Sequence, residues 1–323
     1  MSEKTKVIID TDPGIDDAIA LFMAMASADL DIVGITTVNG NVNVDKAEYN
    51  ARRICEFAWH SNIKVYKGCP KPLKRSVLNA EWVHGEDGLA GMDFPEPAYK
   101  GEKENAVDFI IDTLMEAEDR EITILAVGPL TNIATAFLKE PKIIRKIREV
   151  IIMAGAFCED GPRGNATPYA EFNVLADPHA AEIVFDRVER ATVIPMEVGM
   201  QARADDAYIE KMRDLRTRCA VMSADMLVKT AKVLSGKIEE KHLDGIAPET
   251  GTSLYDPCAV GCLLRPALFS GKYGTVSVNT DEDDEKFGMT SFIEGNKRNC
   301  LVTYKVDKEA FKNMLLDSLA ALS

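Results

Sequence analysis

The chain has 323 residues, 46% of them hydrophobic and 28% charged, an ordinary globular composition. Its 52 Asp and Glu outnumber 38 Lys and Arg, giving a net charge of −14 with no basic run. That argues against nucleic acid or an anionic membrane surface as the main partner, and no stretch approaches the roughly 18–20 apolar residues of a membrane span.

Strand-like apolar runs are predicted at Lys6–Ile9, Asp31–Val38, Ile63–Tyr66, Glu121–Val127, Val150–Ala154 and Ala191–Glu197. They are rich in Val and Ile and nearly continuous in hydrophobicity, as strands buried on both faces are. Helical periodicity falls between them, at Asp17–Ala26, Asp45–Ala58, Val107–Glu116, Thr131–Leu138 and Pro178–Phe185. This alternation predicts a doubly wound α/β fold with a mostly parallel central sheet and helices on both faces. Residues Asp205–Leu243 read as helical, then polar. Strands Gly274–Val278 and Asn299–Tyr304 flank an acidic loop, Asp281–Glu285, read as a solvated turn, and a last helix spans Asp307–Leu322. A boundary near residue 200 is conceivable, but one domain over residues 1–323 is the expectation.

The seven cysteines are scattered, without a Cys-x-x-Cys pair, so no disulfide framework or structural zinc site is expected. The opening Met1–Lys6 lacks the apolar core of an export signal, and the expectation is a reduced, cytoplasmic protein.

The most informative stretch runs from Val7 to Leu21, where Asp10, Asp12, Asp16 and Asp17 fall between an apolar run and a helical pattern. Pro13-Gly14 marks a turn between strand and helix, the place where open α/β sheets hold ligands. Capping and the helix dipole account for one or two of these acids. Four so close together call for a cation, and an all-oxygen set suits a hard divalent one. An EF-hand is excluded: counted from Asp10, Gly14 is fifth and position twelve is Leu21. A phosphatase that opens on Asp-x-Asp after a strand fits less well, because Gly14 stands where such enzymes carry Thr or Val.

Further motifs follow in order: Ile35–Asn41 (ITTVNGN), His84–Leu89 (HGEDGL), Val127–Ala134 (VGPLTNIA), Asn165–Asn173 (NATPYAEFN) and Tyr255-Asp256-Pro257. Together with the opening motif they closely resemble the inosine-uridine preferring nucleoside hydrolases, over residues 7 to 257 and at matching length. The resemblance implies a Ca²⁺ cofactor held by Asp12, Asp17, Asp256 and the carbonyl of Val127, with Asp10 bracing the loop. It implies hydrolysis of the N-glycosidic bond of a ribonucleoside, with Asp12 as general base toward a water beside the cation. Asp16 and Asn173 would hold the 2′-hydroxyl and Asp256 the 3′-hydroxyl. Asn41 would touch ribose, while Asn165 and Glu171 would reach toward its 5′ side. Taken singly, Asn165, Glu171 and Asn173 read more readily as loop or capping residues; their spacing in register with the other motifs favours the site reading. The resemblance further implies a role in nucleoside salvage and a homodimer or homotetramer.

His84 matches a histidine near the base; His60, His179 and His242 match nothing catalytic. The segment Lys241–Gly245 reads as a flap over the base. Tyr255 departs from the family pattern, in which a His that protonates the leaving base, or a Trp that stacks on it, precedes the calcium-binding Asp. A tyrosine both stacks and donates, but its ordinary pKa near ~10 makes it a weaker acid than His. Tyr255 is therefore expected to line the base pocket, with proton donation from it, from His84 or His242, or from water left open. Asn39 reads either as a base contact or as a turn residue before Gly40. Two other functions stay open at this point: a catalytically silent ribose- or nucleoside-binding protein, and a Mg²⁺-dependent phosphatase.

Overall fold

The structure, a computed structural model, describes residues 4–158, 163–237, 251–295 and 299–322. Its first six strands are β1 (Thr5–Thr11), β2 (Leu30–Thr37), β3 (Val65–Lys67), β4 (Ile122–Ala126), β5 (Ile147–Met153) and β6 (Ala191–Ile194). A separate antiparallel ribbon pairs β7 (Arg203–Ala204) with β8 (Thr252–Ser253). Strands β9 (Phe269–Val278), β10 (Thr290–Glu294) and β11 (Cys300–Val306) complete the large sheet, in the order β10-β9-β11-β6-β5-β4-β1-β2-β3. From β11 to β3 all neighbours are parallel; only the pairings of β9 with β11 and β10 are antiparallel.

Both faces of the sheet are covered. Along β1, Val7 and Ile9 join one apolar cluster and Ile8 the other; along β5, Ile151 and Met153 separate from Val150 and Ile152 in the same way. The period-two split of a continuous apolar run is the signature of a strand buried on both sides. Helices α1 (Ile15–Met25) and α2 (Val44–Phe57) pack on the first face. After the short α3 (Glu81–His84), α4 (Ala106–Glu116) and α5 (Thr131–Lys139) pack on the second. The order 3-2-1-4-5-6 thus reverses its winding between β1 and β4, and a crevice opens at the C-terminal ends of those two strands.

The predicted elements hold at the centre and shift at the margins. The strand expected at Ala191–Glu197 stops at Ile194: Pro195 has no N–H to donate, and α8 (Met196–Gln201) begins behind it. The Asn165–Asn173 motif runs into the short helix α6 (Phe172–Ala176), and α7 (Pro178–Arg187) follows. The helical region from Asp205 is divided into α9 (Asp206–Asp214) and α10 (Arg218–Lys237) by Arg216, whose φ of 59° lies in the left-handed region. Several elements were unforeseen, among them the β7–β8 ribbon, the short helices α3, α6 and α8, strand β10 and helix α11 (Tyr255–Leu264), and α12 (Lys308–Ala321) closes the chain. The acidic loop between β9 and β10 is exposed, as expected. The segment Lys241–Gly245, with His242, lies outside the described residues. Among the described residues no helix is long and apolar enough to cross a membrane.

Candidate active site and cation centre

The crevice is built from the turn after β1. Gly14 precedes α1, whose first turn carries Asp16 and Asp17. Asp17 accepts hydrogen bonds from the Gly14 N–H at 2.9 Å, the Asn41 side-chain amide at 3.0 Å and the Thr11 hydroxyl. The acid that caps the start of α1 is thus Asp17, not Asp10 or Asp12, and three other acids are left to explain. Asp12, fully buried, accepts the Asn41 backbone N–H at 2.6 Å through Oδ2. Its Oδ1 is buried without a hydrogen-bond partner among the described residues. Asp256 reaches the same place from the first turn of α11, a helix that packs along α1. Pro257 is tolerated there because first-turn N–H groups have no partner inside the helix.

Carboxylate oxygens of Asp16, Asp17 and Asp256 lie within 4.8 Å of one another. At such a separation and an effective dielectric near ~20, each pair of charges repels by about 3–4 kcal/mol. The helix dipole returns only ~0.3–1 kcal/mol per acid, so it cannot hold three charges together. Burial raises Asp12 well above the usual carboxylate range, and Asp17, Asp16 and Asp10 add repulsion. Asp256 is raised likewise by burial, then by Asp16, Asp17 and Asp12, and it hydrogen-bonds the Asp17 carboxyl directly. Burial pushes Asp16 up to about 6. Two carboxyl groups in contact need a proton or a cation between them, and the unpartnered Oδ1 of Asp12 faces the same demand. These residues fit a hard divalent cation.

Glycines make the close approach possible. A Cβ at Gly40 would fall 1.9 Å from Oδ2 of Asp12, and one at Gly128 would fall 2.6 Å from Oδ1. Behind this layer sits Asp10, pushed by burial up to about 7 although Asn132 and Thr36 donate to it. Its backbone carbonyl accepts the Val127 N–H at 2.9 Å, which ties the end of β1 to the end of β4.

A cavity of 490 Å³ opens above the acids. Its lining includes Asp16, Asn41, His84, Val127, Asn165, Glu171, Asn173, Tyr255 and Asp256, so most residues singled out in the sequence meet on one surface. Asp12 and Asp17 lie beneath it, fully buried. The Asn173 amide donates to the carbonyls of Val127 at 3.0 Å and Met153 at 3.1 Å. A carbonyl has two lone pairs, so Val127 can accept this bond and still face a cation. Glu171 caps α6, accepting N–H groups of Asn173, Val174 and Gly155, and burial brings its carboxyl up to about 7. Asn165 accepts the Phe172 N–H at 2.8 Å. These two residues cap backbone and line the cavity at once.

His84 packs on the first turn of α1, where its Nδ1 accepts the Ile15 N–H at 3.1 Å. Burial holds it down near 4, so at neutral pH it is an uncharged imidazole whose proton is on Nε2. The Tyr255 ring lies against Gly199, where an added Cβ would meet it at 2.3 Å, and its phenol hydrogen-bonds Ser253. Burial raises this phenol further above its ordinary value. Asn39 is buried but is not among the residues lining the cavity; its N–H donates to the Cys69 carbonyl. His60 and His179 also lie outside the lining. An apolar wall the sequence did not single out comes from Trp82, Phe172, Ile209, Leu227 and Val228, together with Arg203 of the β7–β8 ribbon. A more open groove of 950 Å³ beside the start of α12 contains none of the four acids Asp12, Asp16, Asp17 and Asp256.

Comparison with known proteins agrees with this geometry. Residues 7–313 match the family model described as inosine-uridine preferring nucleoside hydrolase. The chain is 35% identical over 320 residues to an inosine-uridine preferring nucleoside hydrolase of Leishmania major, covering 97% of each chain. It is 36% identical over 318 residues to the pyrimidine-specific ribonucleoside hydrolase RihA of a Shewanella species, covering 97% of this chain and 96% of that one. The solved structure of a purine-preferring ribonucleoside hydrolase from Gardnerella vaginalis superposes with a TM-score of 0.87 at 29% identity, covering 98% of this chain and 99% of that one.

Proposed function

The chain belongs to the inosine-uridine preferring nucleoside hydrolase family and is a hydrolase acting on ribonucleosides; on that footing we propose that Asp12 activates the water that displaces the base, at a Ca²⁺ site formed by Asp12, Asp17, Asp256 and the Val127 carbonyl. The observation that carries this reading is the convergence of the Asp16, Asp17 and Asp256 oxygens at the floor of the cavity, beside the unpartnered Oδ1 of Asp12. Carboxylates and a carbonyl form the all-oxygen shell that suits Ca²⁺. When bound, Ca²⁺ supplies Lewis acidity toward a nearby water.

The chain's own groups do the rest. Asp12 accepts the water's proton as the water oxygen bonds C1′ of the ribose. The C1′–N bond breaks and its electron pair leaves with the base, which gains a proton from Tyr255 or from solvent. The positive charge that develops on the sugar is stabilised by the surrounding acids. Asp16, Asn173 and Asp256 bind the 2′- and 3′-hydroxyls, Asn41 holds the Asp12 and Asp17 carboxylates beside the ribose, and Asn165 and Glu171 frame the 5′ side. His84 orients the turn before α1 and presents Nε2–H to the cavity. The products, ribose and free base, suit nucleoside salvage. The phosphatase alternative has no support in a family whose members cleave ribonucleosides, and the intact acids favour turnover over silent binding.

Hypoxanthine release from inosine and from 2′-deoxyinosine tests the ribose assignment. Losing one hydroxyl leaves buried acceptors unpaired, so the deoxynucleoside should turn over at least about 100-fold more slowly in kcat/KM. Equal rates would overturn the roles of Asp16 and Asn173.

A further inference from the structure

The cavity has two chemically different ends. The floor is anionic, and much of the remaining lining, which includes Tyr255, is apolar side chain. A base leaving through that wall takes an electron pair with it, and an apolar surface does nothing to stabilise the charge. Arg203 lines the same wall. It stands opposite Ser253 in the β7–β8 ribbon, the residue whose hydroxyl bonds the Tyr255 phenol. Its Nε donates to the Met200 carbonyl at 3.2 Å, which fixes the stem of the side chain, and the residue is half-buried. Among the described residues the other cation on this lining, Lys232 of α10, is exposed.

We infer that Arg203 is a leaving-group residue: its guanidinium touches the departing base and stabilises the negative charge that accumulates there as the C1′–N bond breaks. The assignment rests on the nucleosidase reading above. It differs from the role given to Tyr255, because no proton moves to or from Arg203. Guanidinium carries five N–H donors and no acceptor, so it pairs with an oxo group or an unprotonated ring nitrogen and not with an amino group. Adenine offers only ring nitrogens, whereas departing hypoxanthine also delocalises its negative charge onto an oxo group, so bases with an oxo acceptor should be favoured.

The test compares inosine with p-nitrophenyl β-D-ribofuranoside in the Ca²⁺-loaded wild type, R203M and R203K. The nitrophenolate departs without assistance, so this substrate reports on the ribose end and on the fold. A charge-assisted contact made in the transition state corresponds to about a 10- to 100-fold change in kcat/KM. R203M should lose that factor on inosine and stay within about 3-fold of wild type on the nitrophenyl riboside. R203K should fall between the two on inosine, and the inosine-to-adenosine ratio should shrink in R203M. Parallel losses on inosine and the nitrophenyl riboside in the folded variants, or unchanged inosine turnover, would overturn the assignment and leave the hydrolase reading standing. A wild type that cleaves the nitrophenyl riboside but no ribonucleoside would overturn both.

Discussion

The backbone N–H of Asn41, on the loop after β2, donates to Oδ2 of Asp12, on the turn after β1, at 2.6 Å. The side chain of the same asparagine donates to Asp17 at 3.0 Å. One residue thus sets two of the proposed Ca²⁺ ligands from a neighbouring strand. Asn41→Ala keeps the first bond and deletes the second. Partners that orient metal ligands are worth about 10–100-fold in metal affinity. The Kd for Ca²⁺, measured by competition with a chelating dye, should rise by that factor with little change in fold.

Gly40 tests the same centre by shape. A methyl group there meets Asp12 Oδ2 at 1.9 Å and Pro129 Cδ at 2.8 Å, whereas one at Gly295 meets nothing within 4 Å. Gly40→Ala should lower stability by about 1–3 kcal/mol, as overpacking does, and should cut ribose release sharply. Gly295→Ala should do neither. Thermal melts and activity assays of both variants decide the matter.

The buried acids predict an unusual pH dependence for the metal-free protein. Asp10 and Glu171 are each raised to about 7 by burial, so over the range from about 4 to 7 the folded state keeps protons that the unfolded chain releases. Stability should therefore fall as pH rises through that window. His84, lowered to about 4 by burial, acts in the opposite sense, because the unfolded chain takes up its proton as pH drops below about 6.5. Asp16, Asp12 and Asp256 side with Asp10 and Glu171, so the carboxyls outweigh the single imidazole. In EGTA, Tm should decline from pH 5 to pH 7. Saturating Ca²⁺ should restore the most stability at the higher pH, where its ligands are ionised. A Tm that climbs with pH in EGTA would contradict these assignments.

Tyr255 stands where its phenol keeps its proton, since burial raises it. If it donates that proton, Tyr255→Phe should lower kcat on inosine by about 10- to 100-fold, the range of general-acid effects being ~10²–10⁴ when no substitute exists. Full kcat on every nucleoside would show that the ring only lines the pocket. Gly199→Ala, whose methyl would meet Cδ1 of the ring at 2.3 Å, should raise KM by displacing the ring.

Much of this was readable from the chain, and the exceptions have physical causes. Continuous Val- and Ile-rich runs alternating with amphipathic helices announced the doubly wound sheet, and the acid cluster after β1 announced the centre. Helix α11 was invisible because residues Asp256 to Cys262 are all buried, leaving no polar face to give a period. Strand β10 is a short edge strand with mostly exposed side chains, too brief to stand out. Spacing also does not say which oxygens converge. The resemblance implied Asp12, Asp17 and Asp256 as ligands; the structure gathers Asp17 and Asp256 with Asp16 within 4.8 Å and leaves Asp12 Oδ1 buried without a hydrogen-bond partner among the described residues. Arg203 carried no local signal, because its place opposite Ser253 depends on pairing between β7 and β8, distant in sequence.

The central claim is that a divalent cation at this acid cluster is required to hydrolyse ribonucleosides. The measurement that tests it most directly is free-ribose release from inosine, adenosine, guanosine, uridine and cytidine, with excess EGTA and after Ca²⁺ is returned. The account predicts release that EGTA abolishes and Ca²⁺ restores. Undiminished release in EGTA by protein shown to be metal-free would contradict it, as would no release from any of the five by the folded, Ca²⁺-loaded protein.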